Sequence, residues 1–123
     1  MTDTRLARND DDGLAAALAV LRDDGVVAVP TETVYGLAAR ALSERAVARI
    51  YEAKGRPADN PLILHVHDVA AAWPLFSFQD HVEERRARRL AEAFWPGPLT
   101  IVGVAAAIVP AVVRAGLPKV AVR

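Results

Sequence analysis

The sequence predicts an α/β or α+β fold, in which helices pack against a sheet. Apolar runs of strand length alternate with segments of helical periodicity, and glycines and prolines separate them. A chain of 123 residues is long enough for one compact domain with its own core. Apolar residues make up 53% and charged residues 24%, a globular composition. We therefore expect one domain over residues 1–123, with residues 1–12 as a disordered head.

The first predicted elements are a helix and a buried strand. Asp12 can cap a helix whose apolar stripe is Leu14, Leu18 and Leu21, and Gly25 can end it. The β-branched run Val26–Val29 predicts a strand that is buried on both faces.

A second helix is predicted over Glu44–Lys54. Ser43 is a suitable N-cap, Gly55 is a suitable C-terminal residue, and the residues spaced along one side are Val47, Ile50, Tyr51 and Lys54. The preceding segment, TETVYGLAAR, has no clear period.

The second half of the chain continues the alternation. The pattern predicts strands at 62–66, 99–104 and 120–123, a helix at 79–94, and short helical turns at 68–73 and 110–114. Pro74 should stop the first of these turns. Because the chain ends within an apolar run, LPKVAVR, we expect it to be a fragment.

Charge and cysteine content exclude several functions. Fifteen basic and fifteen acidic residues cancel, so anion binding must come from local placement of charge. The absence of cysteine excludes disulfides, zinc–thiolate sites and thiol nucleophiles. The N-terminus does not resemble a signal peptide, and no apolar run reaches the ~18 residues of a membrane span. We therefore expect a cytoplasmic protein.

The segment KGRPADNPL places two cations in a stretch that cannot be helical. Gly55 ends the preceding helix and two prolines prevent another, so we expect the loop to display Lys54, Arg56 and Asn60 outward. A guanidinium and an ammonium together suit a polyphosphate. The alternative is an ordinary helix C-terminus, with Lys54 offsetting the helix dipole and Arg56 solvated.

Two further segments carry hydroxyls near predicted strand ends. In VPTETVYGL, Thr31 and Thr33 can fix a small polar substrate, or they can form an ST-turn while Tyr35 and Leu37 fill the core. In FWPGPLTIV, Trp95 is typical of a core plug, and Thr100 just beyond it can face a ligand.

The sequence lacks the motifs of several other classes of nucleotide-binding and catalytic site. The sequence has no P-loop, no GxGxxG motif and no GxSxG serine. His65 and His67 share one face of a predicted strand, but no third metal ligand is evident, so we expect no metal site of the protein's own. The EERRARR segment is typical of a solvated helix face with ion pairs such as Glu84 to Arg88. The alternative is an RNA-binding patch.

Four motifs together resemble one family. Over residues 25–123 the chain resembles the YrdC/Sua5 family of threonylcarbamoyl-AMP synthases. The motifs that carry the resemblance, in this order and at these intervals, are PTETVYGL, KGRPADNPLILHV, WPGPLTIV and KVAVR. The resemblance implies a twisted mixed sheet with helices around a central, positively charged cavity. It also implies that the protein condenses L-threonine, bicarbonate and ATP with the help of Mg²⁺ and releases pyrophosphate. The product would then pass to a tRNA threonylcarbamoyl transferase complex, which makes the t6A modification.

The resemblance also implies residue roles. The catalytic pair that clamps the triphosphate would be Lys54 and Arg56. Other residues at the ATP side would be Asn60, Thr100 and Arg123. Residues facing the threonine substrate would be Thr31, Thr33 and His65.

One departure from the family pattern affects the expected activity. The family has a later Ser-x-Asn element that completes the nucleotide site, and this chain ends before it, so we expect the 123 residues alone to bind ATP weakly and to be inactive. Two alternatives stay open. One is a carbamoyl-adenylate-forming unit of the kind found in hydrogenase maturation proteins. The other is a non-catalytic module that binds double-stranded RNA, tRNA or the ribosome weakly through its arginine-rich helix.

Overall fold

The computed structural model describes residues 3–123. It divides into two compact units, Met1–Gly55 (unit 1) and Arg56–Arg123 (unit 2). Unit 1 contains α1 (Asp11–Arg22), β1 (Val27–Val29), β2 (Gly36–Ala38) and α2 (Glu44–Lys54). Unit 2 contains β3 (Ile63–Leu64), a 3₁₀ helix (Ala70–Leu75), α3 (His81–Phe94), β4 (Ile101–Val104) and β5 (Lys119–Val122). The mixed α/β class is confirmed, and a single domain over residues 1–123 stays a prediction.

Helix α1 begins earlier than expected. Asp10 is its N-cap, and the carboxylate accepts a hydrogen bond from the backbone N–H three residues later at 2.9 Å. Asp12 therefore lies in the first turn, where its charge offsets the helix dipole, and is not the cap. Of the predicted disordered head, residues 1 and 2 lie outside the described residues, and residues 3–10 form no helix or strand.

The predicted apolar stripe of α1 is mostly exposed. The exposed fraction is 55% for Leu14 and 50% for Leu18, and Leu21 is half-buried. Periodicity correctly predicted a helix, but it does not show whether another element covers the apolar side.

The run Val26–Val29 forms a shorter strand than predicted, with a partner that the sequence did not reveal. β1 pairs antiparallel with β2, with Val27 opposite Ala38 and Val29 opposite Gly36. Ala28 is exposed while its neighbours are half-buried, so the prediction of burial on both faces is wrong. An apolar run alone does not distinguish a strand covered on one side from one covered on both.

Helix α2 has the predicted bounds and caps. The Ser43 hydroxyl accepts a hydrogen bond from the Ala46 N–H at 3.3 Å, and Gly55 adopts a left-handed conformation with φ of 57°. The buried residues of the helix include those predicted for its apolar side, Val47, Ile50 and Tyr51. Local capping residues thus define this helix.

Asp24, which follows α1, contacts three arginines, two of which belong to α2. Its carboxylate accepts hydrogen bonds from Arg45 Nε at 3.1 Å and Nη2 at 2.8 Å, and Arg40 Nε lies 3.5 Å from Oδ1. Arg49 Nη1 donates to the backbone carbonyl of Asp24 at 2.9 Å. The side chain is only 14% exposed, and Oδ2 accepts both hydrogen bonds from Arg45, whereas the buried Oδ1 has no hydrogen-bond partner among the described residues and is balanced by the charge of Arg40.

We predict that Asp24 makes the stability of the protein depend on acid pH. Hydrogen bonds from Ser43 and Arg45 hold the pKa of Asp24 below its ordinary value of 3.8. Because the folded-state pKa is lowered, the stabilisation is present above pH 3.8 and is lost as the pH falls through the folded-state value. Asp24→Asn in the natural full-length protein should therefore lower the urea midpoint at neutral pH, with a difference from wild type that shrinks in acid.

The matched control for this experiment is Asp23→Asn, which changes an exposed neighbouring carboxylate. It should leave the midpoint nearly unchanged. A midpoint difference for Asp24→Asn that is the same at acid and neutral pH would contradict the assignment.

The sheet of unit 2 is mixed, with the strand order β3-β5-β4. β5 is parallel to β3 and antiparallel to β4. One face of the sheet is buried, and its residues are Leu64, Ile101, Gly103, Val120 and Val122. On the opposite face, Ile63 is 47% exposed and Val102 is 60% exposed. We call this second surface the open face.

Helix α3 begins two residues after the predicted start and ends at the predicted residue. Asp80 is the N-cap and accepts hydrogen bonds from the backbone N–H groups of Val82 and Glu83, both at 2.8 Å. The buried residues of the helix are Ala87 and Ala91. These small side chains allow a close approach to the rest of unit 2.

Two predictions about short helical turns are wrong. Pro74 lies inside the 3₁₀ helix, which ends only at Leu75. The predicted stub at 110–114 is a series of turns and not a helix. Ala115 and Gly116 have positive φ values of 51° and 73°, which prevent a regular right-handed helix from continuing there.

Candidate active site

Three of the predicted site residues form a cross-strand row on the open face of unit 2. Val122 faces Ile101 on one side and Leu64 on the other, and all three are buried. Successive side chains of a strand alternate between faces. The next residue of each strand segment therefore belongs to the open face, and these residues are Thr100, Arg123 and His65.

Backbone hydrogen bonds support this register beyond the assigned strand ends. The Arg123 N–H donates to the Leu64 carbonyl at 2.8 Å, and the Val66 N–H donates to the Arg123 carbonyl at 3.0 Å. These bonds extend the β3–β5 pairing to Arg123, and continuing the β4–β5 register by one residue places Thr100 opposite Arg123. Adjacent strands lie about 4.8 Å apart, so a ligand of modest size can contact all three side chains.

The row carries complementary chemistry beside an apolar surface. It offers a hydroxyl, a guanidinium and an imidazole, and the next cross-strand set consists of Ile63, Ala121 and Val102. Apolar surface with a few convergent polar groups is typical of small-molecule sites. The family resemblance implied a role for each residue separately, and the strand register places the three side by side.

Arg56 has a structural role that the sequence did not reveal. Its Nε donates to the Asn60 carbonyl at 3.2 Å, and its Nη2 donates to the Pro61 carbonyl at 3.0 Å. The guanidinium therefore holds the loop that it belongs to. This corrects the expectation that Arg56 simply projects outward, since it is half-buried, whereas Asn60 is exposed as expected.

Lys54 is exposed at the last position of α2, in unit 1. Its ammonium group offsets the negative end of the helix dipole, as the simpler interpretation of this segment required. The proposed hollow shared by Lys54 and Arg56 stays a prediction.

Thr31 forms the ST-turn that was the simpler interpretation of VPTETVYGL. Its hydroxyl accepts hydrogen bonds from the N–H groups of Thr33 at 3.3 Å and Val34 at 3.2 Å, and it donates to the Val34 carbonyl. Tyr35 is 77% exposed, so the expectation that it fills the core is wrong. The turn holds Thr33 in an exposed position, with its hydroxyl 3.5 Å from that of Thr31.

His67 is engaged outside the row. Its Nε2 lies 2.9 Å from Asp68 Oδ2, and it is 86% exposed. Within residues 3–123, no three metal-ligating side chains are grouped closely enough to hold an ion.

Trp95 packs on another tryptophan and also makes a polar contact. Its ring is stacked on Trp73, with centroids 6.4 Å apart and an interplanar angle of 18°. Its Nε1 donates to the Leu99 carbonyl at 2.7 Å. The sequence suggested the packing, but it could not reveal the hydrogen bond.

The arginine-rich side of α3 contains the expected ion pair. Arg88 Nη2 lies 2.8 Å from Glu84 Oε1. A surface concavity of about 450 Å³ lies along this helix. Its lining residues are Val82, Arg85, Arg86, Arg88, Arg89 and Glu92.

Comparisons with known proteins agree with this architecture. The family model Sua5/YciO/YrdC, described as telomere recombination, matches residues 19–123. Threonylcarbamoyl-AMP synthase of Pyrococcus abyssi is 52% identical over 107 residues, which cover 87% of this chain and 30% of that protein. The synthase of Bacillus subtilis is 47% identical over 116 residues, covering 93% of this chain and 32% of that protein.

A solved structure is also similar to this chain in fold and sequence. The crystal structure of P. abyssi Sua5 in complex with L-threonine has a TM-score of 0.84 and 47% identity, and it covers 95% of this chain and 33% of that chain. The fold thus defines an α/β protein with a mixed sheet. The chain belongs to the Sua5/YciO/YrdC family. It spans about a third of the length of these three relatives.

The helices of the described part of the chain are too short or too polar to cross a membrane.

Proposed function

We propose that the protein containing this chain is an L-threonylcarbamoyladenylate synthase. It condenses L-threonine, bicarbonate and ATP, supplied as the Mg²⁺ complex, into threonylcarbamoyl-AMP and pyrophosphate. The observation that carries the proposal is the row of Thr100, Arg123 and His65 on the open face. Its polar groups suit a ligand that combines an amino acid with an adenylate, and P. abyssi Sua5 binds L-threonine.

The proposed reaction needs charge neutralisation more than a protein nucleophile. The threonine amine adds to bicarbonate and water leaves, which gives a carbamate. A carbamate oxygen then forms a bond to the α-phosphorus of ATP, and the bond from that phosphorus to the pyrophosphate oxygen breaks. Anions must approach one another in this step, so fixed cations lower the barrier by positioning and by electrostatic stabilisation.

In this proposal some residues of the chain bind ATP and others bind threonine. Lys54 and Arg56 bind the triphosphate, and the hydrogen bonds of Arg56 to its own loop favour a preorganised cation. Asn60, Thr100 and Arg123 contribute to the ATP side.

Three residues serve the threonine side. His65 and Thr33 contact the amino acid, and Thr31 holds the turn that presents Thr33. The product then passes to a tRNA threonylcarbamoyl transferase complex in the cytoplasm.

The test is a reaction with the natural full-length protein. Pyrophosphate release from ATP should require both threonine and bicarbonate, and mass spectrometry should detect threonylcarbamoyl-AMP. Omission of either co-substrate is the internal control. ATP turnover that ignores threonine, or no turnover in the complete mixture, would refute the proposed reaction.

A second candidate function is RNA binding through α3. The observation that favours it is the concavity that contains four arginines, although Arg88 is already paired with Glu84. Binding through phosphate contacts would weaken steeply as salt increases, because counterions are released on association. Weak binding with a shallow salt dependence would exclude this function.

A further inference from the structure

The peptide group that precedes Thr100 is held by a side chain. The Leu99 carbonyl, which accepts the hydrogen bond from Trp95 Nε1 at 2.7 Å, belongs to the same planar peptide unit as the Thr100 N–H. Fixing this carbonyl therefore fixes the orientation of the backbone that enters Thr100. β4 begins only at Ile101, so Thr100 lies one residue outside the assigned strand.

The connection between α3 and β4 has few backbone donors of its own. Pro96 and Pro98 lack an N–H group, and β4 does not begin until Ile101. An indole N–H provides a donor that the turn itself does not supply. The Trp95 side chain therefore donates a hydrogen bond to a backbone carbonyl in a turn where two residues lack a backbone donor.

The indole of Trp95 packs against the 3₁₀ helix. It stacks on Trp73, and the guanidinium carbon of Arg88 lies 4.5 Å from the centroid of the Trp73 ring. Arg88 is fixed in turn, since its Nε and Nη2 donate to Glu84 Oε1 at 2.9 and 2.8 Å. These contacts pack the ring of Trp95, whereas its N–H group makes the contact with the backbone beside Thr100.

We infer that Trp95 is a positioning residue that sets the geometry of Thr100 in the cross-strand row, and through it the affinity of the site for ATP. The inference rests on the proposed function for the identity of the ligand. Trp95 itself lies outside the row, and it acts only through the Leu99 carbonyl. Its contribution should therefore appear at the ATP side of the site and not at the threonine side.

The test compares two tryptophan variants of the natural full-length protein. Trp95→Phe keeps an aromatic ring against Trp73 but removes the N–H donor. Trp73→Phe changes the same stack while leaving the hydrogen bond to Leu99. We expect Trp95→Phe to raise KM for ATP about fivefold, the effect of one lost hydrogen bond, with KM for threonine changed less than about twofold.

The Trp73→Phe variant is the control for packing. It should lower the urea midpoint by a similar amount and leave KM for ATP near the wild-type value. If the two variants change KM for ATP equally, or if Trp95→Phe leaves it unchanged, Trp95 only packs and the inference is wrong.

A second measurement separates this inference from the proposed function. The methyl resonance of Thr100, followed by NMR, should shift in Trp95→Phe and stay in place in Trp73→Phe. This outcome is independent of catalysis. A wild-type protein that makes no threonylcarbamoyl-AMP would refute the proposed function, whereas an unmoved Thr100 methyl group in Trp95→Phe would refute the positioning role.

Discussion

Replacement of Arg56 by alanine is expected to lower kcat/KM for threonine-dependent pyrophosphate release about 100-fold, or roughly 3 kcal/mol, the scale for loss of one preorganised donor. The structure adds a second reason for a large effect. The same guanidinium donates to the carbonyls of Asn60 and Pro61, so the variant loses both a cation and the bonds that hold the loop. The measurement is steady-state kinetics of the natural full-length protein.

Two further variants identify the cause of this loss. Arg56→Lys keeps the charge but not the planar fork, and it should recover only a small part of the activity, since an ammonium cannot reproduce both carbonyl contacts at the same positions. Arg89→Ala removes an exposed arginine from α3 and should leave the kinetics unchanged. Wild-type rates for Arg56→Ala would show that Arg56 does not bind the triphosphate.

The elements that the sequence predicted well are those with local determinants. The bounds of α2 follow from a serine cap and a left-handed glycine, both of which are visible in the sequence. β2 was missed because it has only three residues and exists through its pairing with β1. The exposed leucines of α1 show the same limit, since burial depends on which elements meet, and this is not encoded in the periodicity of one helix.

The candidate site was predicted residue by residue, but not as an arrangement. The resemblance to the family supplied Thr100, Arg123 and His65, and only the register of β5 with its two neighbours places them in one row. The dual role of Arg56 depends on a side-chain conformation that no motif specifies. Hydrogen bonds between a side chain and a distant carbonyl, such as that of Trp95, are equally invisible in the sequence.

β5 is the central strand of its sheet. We therefore expect the stability of unit 2 to depend strongly on substitutions at the buried side chains of this strand. Val122 is fully buried, with 0% exposure, and pairs with strands on both sides. Val122→Asp would place a carboxylate in that apolar layer, where burial without a partner strongly disfavours the charge. We expect a loss of about 4 kcal/mol in the free energy of unfolding, at the upper end of the range for single substitutions.

The matched control is Ala121→Asp, which introduces the same charge one residue earlier, on the open face. Because Ala121 is half-buried beside the exposed side chains of Ile63 and Val102, water still reaches the new carboxylate. The cost there should stay below about 1 kcal/mol. Urea denaturation of the natural full-length protein, followed by tryptophan fluorescence, measures both values. Equal losses for the two variants would mean that the two faces of the sheet are covered alike, and the open face that carries the proposed ligand row would not exist.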